Sequence, residues 1–267
     1  MKILGIDVDQ ITFKEATAKC LKFAKSKVKN VVVTPNPEII LHAQKDKKFA
    51  AILNKAHLKI PDGIGIVWAG AVHKEYHAKL PYRYNKWLIG FRHLMNMATK
   101  NYDSLFPERV CGSDLMMELC KKFDQKTKVF LLGGGKGVAY LAAKNLLKKN
   151  KKLNIVGTDS GSADKSNDAN LRKIINKSKA DVIFVGFGAV KQEFWINRNL
   201  KYLTNAKLAL GIGGSIDFAA GKITRAPEWM RKFSLEWLYR LIKQPARIKR
   251  IFNATIVFPI EYLSRLK

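Results

Sequence analysis

Cysteine is scarce in this chain of 267 residues: Cys20, Cys111 and Cys120 are the whole complement. So small and odd a number builds no disulfide framework, and no cysteine cluster supports a metal site. Long apolar runs are missing as well. Nowhere do about 18 apolar residues follow one another, the length a spanning helix needs. The best stretch, Ile251 to Leu263, is interrupted by Asn253, Thr255, Pro259 and Glu261. The opening Met1-Lys-Ile-Leu-Gly-Ile-Asp7 meets charge too early for the apolar core of a signal peptide. The expectation is a protein kept in the cytosol that does not span a membrane. Internal repeats of about 20–50 residues and low-complexity tracts are also lacking. Acidic residues are few: 21 Asp+Glu stand against 49 Lys+Arg, a net charge of +28. Such a surface attracts polyanions, so nucleic acid, anionic membrane and phosphorylated substrates all qualify, and charge alone does not choose among them.

What is present is an ordinary core-forming composition, 47% hydrophobic and 26% charged, which excludes disorder as the main state. Short β-branched runs alternate with longer helical patterns. The strands read as Lys2–Ile6, Asn30–Thr34, Lys128–Leu132, Leu153–Gly157, Asp181–Gly186 and Lys207–Ile212. Helical periodicity covers 12–25, 114–123 and 137–148, and Thr12 with Glu15 fits a capping box. Apolar strands separated by helices predict an α/β fold, a mostly parallel sheet covered by helices on both faces. Ligands of such a sheet sit at the carboxyl ends of its strands. The predicted organisation is a core over residues 1–221 with an insertion at about 71–108, followed by a basic helical appendage over 222–267. The insertion holds His73, His77 and His93 and several aromatics, and the appendage has eleven Lys/Arg against three acids.

Several strand ends hold residues suited to chemistry. Thr34-Pro35-Asn36-Pro37-Glu38 would point Thr34 and Asn36 into the crevice, and a plain turn with an Asx cap accounts for it equally. Pro61-Asp62-Gly63 places one carboxylate after a short strand, where it either caps a helix or acts as a general base. Gly133-Gly134-Gly135-Lys136-Gly137 joins a strand to a helix whose free N–H groups suit a phosphate. It lacks the Walker spacing, and Val138 occupies the third glycine position of the dinucleotide fingerprint. Gly186-Phe-Gly188 leads into Lys191-Gln192-Glu193, where Gln192 could bond a sugar or base, and Gly211-Ile-Gly213-Gly214 makes a third such joint. Three glycine-rich joints in one sheet suggest a crevice lined by backbone for a nucleotide-sized ligand. Asp7-Val8-Asp9 imitates a metal-binding DxD but reads better as a turn, and His73 with His77 lacks a correctly placed Glu for zinc.

In the appendage, Trp229, Phe233, Trp237 and Leu241 recur every fourth residue, beside a cationic stripe of Arg240, Lys243, Arg247 and Arg250. Aromatics beside arginine suit a helix lying in a membrane interface, at about 1 kcal/mol per cation near an anionic leaflet. A helix packing its Trp residues on the core is the other reading.

These segments together resemble the WecG/TagA/CpsF family of bacterial glycosyltransferases. The resemblance rests on Thr34–Glu38, Pro61-Asp-Gly-Ile-Gly65, Arg109-Val-Cys-Gly-Ser-Asp-Leu115, Leu132-Gly-Gly-Gly135, Gly186-Phe-Gly-Ala-Val-Lys-Gln-Glu193, Gly213-Gly-Ser-Ile-Asp-Phe218, Arg225-Ala-Pro-Glu-Trp229 and Leu235-Glu-Trp-Leu-Tyr-Arg-Leu241, in family order over residues 1–252. It implies a Rossmann-like fold and no cofactor. It also implies inverting β-1,4 transfer of N-acetylmannosamine from its UDP carrier to undecaprenyl-diphosphate-linked N-acetylglucosamine, in wall teichoic acid or related polymer synthesis. Asp62 would be the base; Thr34, Asn36, Arg109, Gln192 and the Gly133–Gly135 loop would bind donor and substrate. Arg240, Arg247 and Arg250 would close over the site and meet diphosphate. The implied setting is peripheral, on the inner face of the membrane, with an anionic lipid surface as partner, no nucleic acid, and room for a homo-oligomer. Val190 stands where the family usually has Pro, Cys111 where Thr is common, and Gln244 where Glu precedes Pro245. The insertion is about 25 residues longer than the family spacing leads one to expect. Other donors fit the same family, including the uronic form and capsule sugars. The rivals are a nicotinamide-dependent oxidoreductase, disfavoured by Val138, and a nucleic-acid-binding protein, for which no motif stands.

Overall fold

Thr12 and Glu15 form the capping box that their spacing predicts. This computed structural model describes residues 1–78, 85–99, 102–224, 226–227, 230 and 236–266, without the side chains of 98–99, 236–237 and 240. The Thr12 hydroxyl accepts from the Glu15 N–H at 3.2 Å, and the Glu15 carboxylate accepts from the Thr12 N–H at 2.9 Å. The helix they open, α1 (Phe13–Ala24), buries Ala16, Thr17, Cys20 and Ala24.

The apolar run at the start does not join the main sheet. It folds into a hairpin, β1 (Lys2–Ile3) with β2 (Ile6–Asp7), antiparallel with Ile3 opposite Ile6. Its two turn residues, Leu4 and Gly5, have φ of 47° and 80°, as a tight two-residue hairpin turn requires.

The main sheet has six parallel strands: β3 (Asn30–Val33), β4 (Leu58–Lys59), β5 (Lys128–Gly133), β6 (Asn154–Asp159), β7 (Val182–Gly186) and β8 (Leu208–Gly211). Their spatial order is β4-β3-β8-β7-β5-β6. The chain winds from β3 outward to β4, crosses to β5 and β6, and returns inward through β7 and β8. Successive side chains alternate faces. Val32, Val129, Leu131, Val182, Phe184, Leu208 and Leu210 meet α1, α6 (Gly112–Lys122), α7 (Val138–Lys149) and α10 (Ser215–Ala219). Phe130, Leu132, Ile183, Val185 and Ala209 turn the other way, onto α8 (Asp168–Ser178) and α9 (Lys191–Asn199). Both faces are therefore covered, as the strand composition predicts.

A third apolar cluster gathers beyond β4. The hairpin, α2 (Pro37–Lys45), α3 (Lys47–Asn54), α4 (Ile64–Ala78) and α5 (Lys86–Thr99) share it with Phe258, Tyr262, Leu263 and Leu266 near the end of the chain. The C-terminal elements are α11 (Glu236–Lys243), α12 (Ile248–Phe252), a π turn over Asn253–Val257, and α13 (Phe258–Arg265), of which α13 joins the cluster. Phe258 and Tyr262 of α13 are buried, with the Trp68 ring edge-on to both. No helix among the described residues is long and apolar enough to cross a membrane.

Candidate active site

The strand order lays the singled-out residues along one edge of the sheet. Reading across the carboxyl ends, Asp62 follows β4, Thr34 and Asn36 follow β3, and Gly213 and Gly214 follow β8. Gly186 closes β7, and Gly133 closes β5. Neighbouring strands lie about 4.8 Å apart, so β4 and β5 are separated by about 19 Å. That span suits a nucleoside diphosphate with a sugar at one end.

At the β4 end, loops are tied to one another through their backbones. The Asp62 N–H donates to the Pro35 carbonyl at 3.0 Å, and the Val110 N–H donates to the Pro61 carbonyl at 2.9 Å. A Cβ on Gly63, which has φ of 95°, would lie 3.5 Å from Pro37. Asp62 is half-buried in this knot. Its charge reaches Cys111: burial, then the carboxylates of Asp62 and Asp114, push that thiol up, while Arg109 pulls it down. Asp62, Arg109 and Asp114 thus share one electrostatic neighbourhood. Thr34 is almost fully buried and donates to the Gly211 carbonyl at 3.5 Å, joining β3 to β8. Asn36 uses its amide oxygen as the N-cap of α2, accepting from Ile39 N–H at 3.0 Å, which leaves its amide N–H groups to donate elsewhere.

At the β5 end, backbone replaces side chains. Gly133, with φ of 117°, runs so close to β7 that a Cβ would stand 2.6 Å from the Gly186 carbonyl group. A Cβ on Gly186 would stand 2.8 Å from the Gly213 oxygen. Glycine is required at both positions by close approach. Gly134, Gly135 and Gly137 stay accessible, and α7 begins at Gly137 with no side-chain cap. The Gly134 and Val138 N–H groups are bonded to the Gly186 and Gly135 carbonyls, so the donors this glycine loop turns toward an anion are those of Gly135, Lys136 and Gly137.

Gln192 is placed differently from a direct ligand contact. It is fully buried; its amide oxygen accepts from the Gly213 N–H at 2.8 Å, and its amide nitrogen donates to Glu193 at 2.8 Å. Both ends of the amide are engaged inside the protein, so Gln192 meets the crevice through the Gly213 loop. Glu193 was not singled out by the sequence. It too is fully buried, and its second oxygen has no hydrogen-bond partner among the described residues. Burial pushes its carboxyl up to about 7, against the pull of the Gln192 amide. Val190, where the family pattern has Pro, takes φ of 73°, which a proline ring could not adopt. The only signal for Glu193 lay in its place beside Gln192 at a helix start.

Of the C-terminal arginines, Arg250 reaches back across the chain to Glu38, with contacts of 2.9 and 2.6 Å. Glu38 lies in the first turn of α2, two residues after Asn36, so Arg250 stands beside the loop that holds Asp62. Arg247 donates to Gln244. The Arg240 side chain, and Arg225, Trp229 and Phe233, lie outside the described residues.

A doubly wound parallel sheet with glycine-rich turns and a carboxylate along its carboxyl edge is the arrangement in which α/β enzymes hold their ligands. The sequence pattern of the "Glycosyl transferase WecG/TagA/CpsF family" matches residues 1–106 and 93–267. The chain belongs to that family. Two proteins named N-acetylglucosaminyldiphosphoundecaprenol N-acetyl-beta-D-mannosaminyltransferase are similar to it. The one from Bacillus spizizenii strain W23 is 30% identical over 83% of this chain and 74% of its own length. The one from Bacillus subtilis strain 168 is 30% identical over 86% of this chain and 78% of its own length.

Proposed function

We propose that the protein transfers N-acetylmannosamine from UDP to N-acetylglucosamine carried on undecaprenyl diphosphate, forming a β-1,4 bond with inversion. The observation that supports this reading is the linear arrangement of the edge, with Asp62 at one end and the Gly133–Gly135 loop at the other. The donor diphosphate would lie on the glycine loops, with the sugar directed toward β3 and β4. The Asp62 carboxylate would take the proton from the acceptor hydroxyl as its oxygen attacks the anomeric carbon. The bond to UDP breaks on the opposite side, and its electron pair leaves with the β-phosphate. A base so placed contributes about 10²–10⁴-fold.

Charge growing on the departing diphosphate needs donors that are already in position. In this reading they are the N–H groups of the Gly135–Gly137 loop, Arg109, and the appendage arginines Arg240, Arg247 and Arg250. Gln192 holds the Gly213 loop. Residues 222–267 serve as the appendage that completes the site, on a core over 1–221. The protein works peripherally at the cytoplasmic face of the membrane, where its acceptor is anchored. The test is UDP release from UDP-N-acetylmannosamine in EDTA, with and without lipid-diphosphate N-acetylglucosamine. Acceptor-dependent release is expected. A folded, UDP-binding protein that releases nothing with this pair, but does so with the uronic donor, would overturn the donor assignment.

A further inference from the structure

The inner edge of α5 is ordinary core: Ile89 and Met97 are buried, and Trp68 donates its ring N–H to the Gly90 carbonyl at 3.0 Å. Its outer face is not. Trp87, Leu88, Phe91, Leu94 and Met95 fall on one side of the helix, and between 46% and 65% of each is exposed. A helix apolar on both sides demands cover on both sides. Exposed apolar faces of this size mark interaction surfaces.

The neighbouring C-terminal helices carry a second stripe. Ile248, Phe252, Ile256 and Ile260 recur every fourth residue and are 47% to 64% exposed. Every-fourth spacing drifts about 40° per step around an α-helix. The wider π turn over Asn253–Val257 takes back part of that drift and keeps the stripe aligned. α5 touches the end of α13, just past the stripe: a Cβ on Gly90 would lie 2.8 Å from Leu263, and Lys86 of α5 donates to the Ser264 and Leu266 carbonyls.

We propose that the outer face of α5, within the 71–108 insertion, together with the adjoining Ile248–Ile260 stripe, docks on an anionic bilayer surface. Charge selects this occupant. α5 contains no acidic residue, and residues 242–260 contain none either, against Lys243, Arg247, Lys249 and Arg250. A second copy of the chain would bring another +28 against the first, whereas anionic lipid complements it. The position suits a lipid-borne acceptor. Phe258, which continues the stripe's helix, would lie 3.7 Å from a Cβ on Gly65, three residues from Asp62. Phe258 is buried and the stripe exposed, so docking on this face would bring the Asp62 end to within one helix diameter, roughly 10 Å, of the membrane.

This inference rests on the membrane location proposed above and is independent of the donor and acceptor. Its test floats the full-length protein with phosphatidylcholine vesicles containing about a quarter phosphatidylglycerol, and with phosphatidylcholine alone. Wild type is compared with Leu88→Gln/Phe91→Ser and with Leu94→Gln/Met95→Gln. The altered side chains are exposed, so melting temperature and UDP binding are expected to hold. Wild type is expected to float with the anionic vesicles only, and both variants about tenfold more weakly, with no change in solution mass. Variants that float like wild type would overturn the α5 contact while leaving the membrane location standing. A wild type that ignores anionic vesicles would remove both. Variants that change solution mass but not flotation would make the face a contact between copies.

Discussion

Glu193 and Gly133 are single residues whose effects on the crevice can be separated. Between 4.5, its ordinary value, and about 7, the folded protein holds a proton on Glu193 that the unfolded chain has released. The folded state then binds more protons, so Glu193's contribution to stability falls as pH rises through that window and levels off above it. Gln at this position cannot titrate. The melting-temperature advantage of Glu193→Gln over wild type is therefore expected to be larger at pH 8 than at pH 5, and parallel pH curves would contradict it. Gly133→Ala tests the backbone crevice. With φ of 117° and 2.6 Å to the Gly186 carbonyl, a methyl group displaces the loop, costing about 1–3 kcal/mol in urea unfolding and weakening UDP binding. The glycine was legible because its neighbours spell a strand-to-helix joint. Glu193 was not, since a glutamate at a helix start reads as exposed until the packing of α9 is known.

At the scale of elements, the strands β3, β5, β6, β7 and β8 were legible as apolar β-branched runs, each to within a residue or two. Periodicity located α1, α6 and α7 to within a residue or two, because each buries one stripe. The run Lys2–Ile6 misled because its hairpin turn depends on a positive φ at Leu4, which no pattern of apolar residues announces. The C-terminal helices make a testable link of their own. The Arg250–Glu38 pair is largely exposed, so it adds only about 0–1 kcal/mol of stability. Arg250→Ala is expected to leave the melting temperature within a few degrees of wild type and UDP affinity unchanged, while slowing transfer to the lipid acceptor at least about tenfold. A variant with wild-type transfer would detach Arg250 from the chemistry.

For the whole molecule, sequence specified the covered parallel sheet but not the order of its strands. Parallel strands are joined by crossovers, which carry no pairing signal comparable to a hairpin turn. Yet the order decides the candidate site: with β3 and β8 between β4 and the glycine-rich ends of β7 and β5, Asp62 and the glycine loops fall along one edge. The motifs named candidates, and the topology aligned them. The most direct test of that alignment is turnover of Asp62→Asn beside wild type, with UDP-N-acetylmannosamine and lipid-diphosphate N-acetylglucosamine in EDTA. The account predicts kcat lower by about 10²–10⁴-fold, with UDP affinity kept within about twofold. Wild-type turnover in the Asn variant would contradict it, for the edge would then hold its substrates without Asp62 taking part in the reaction.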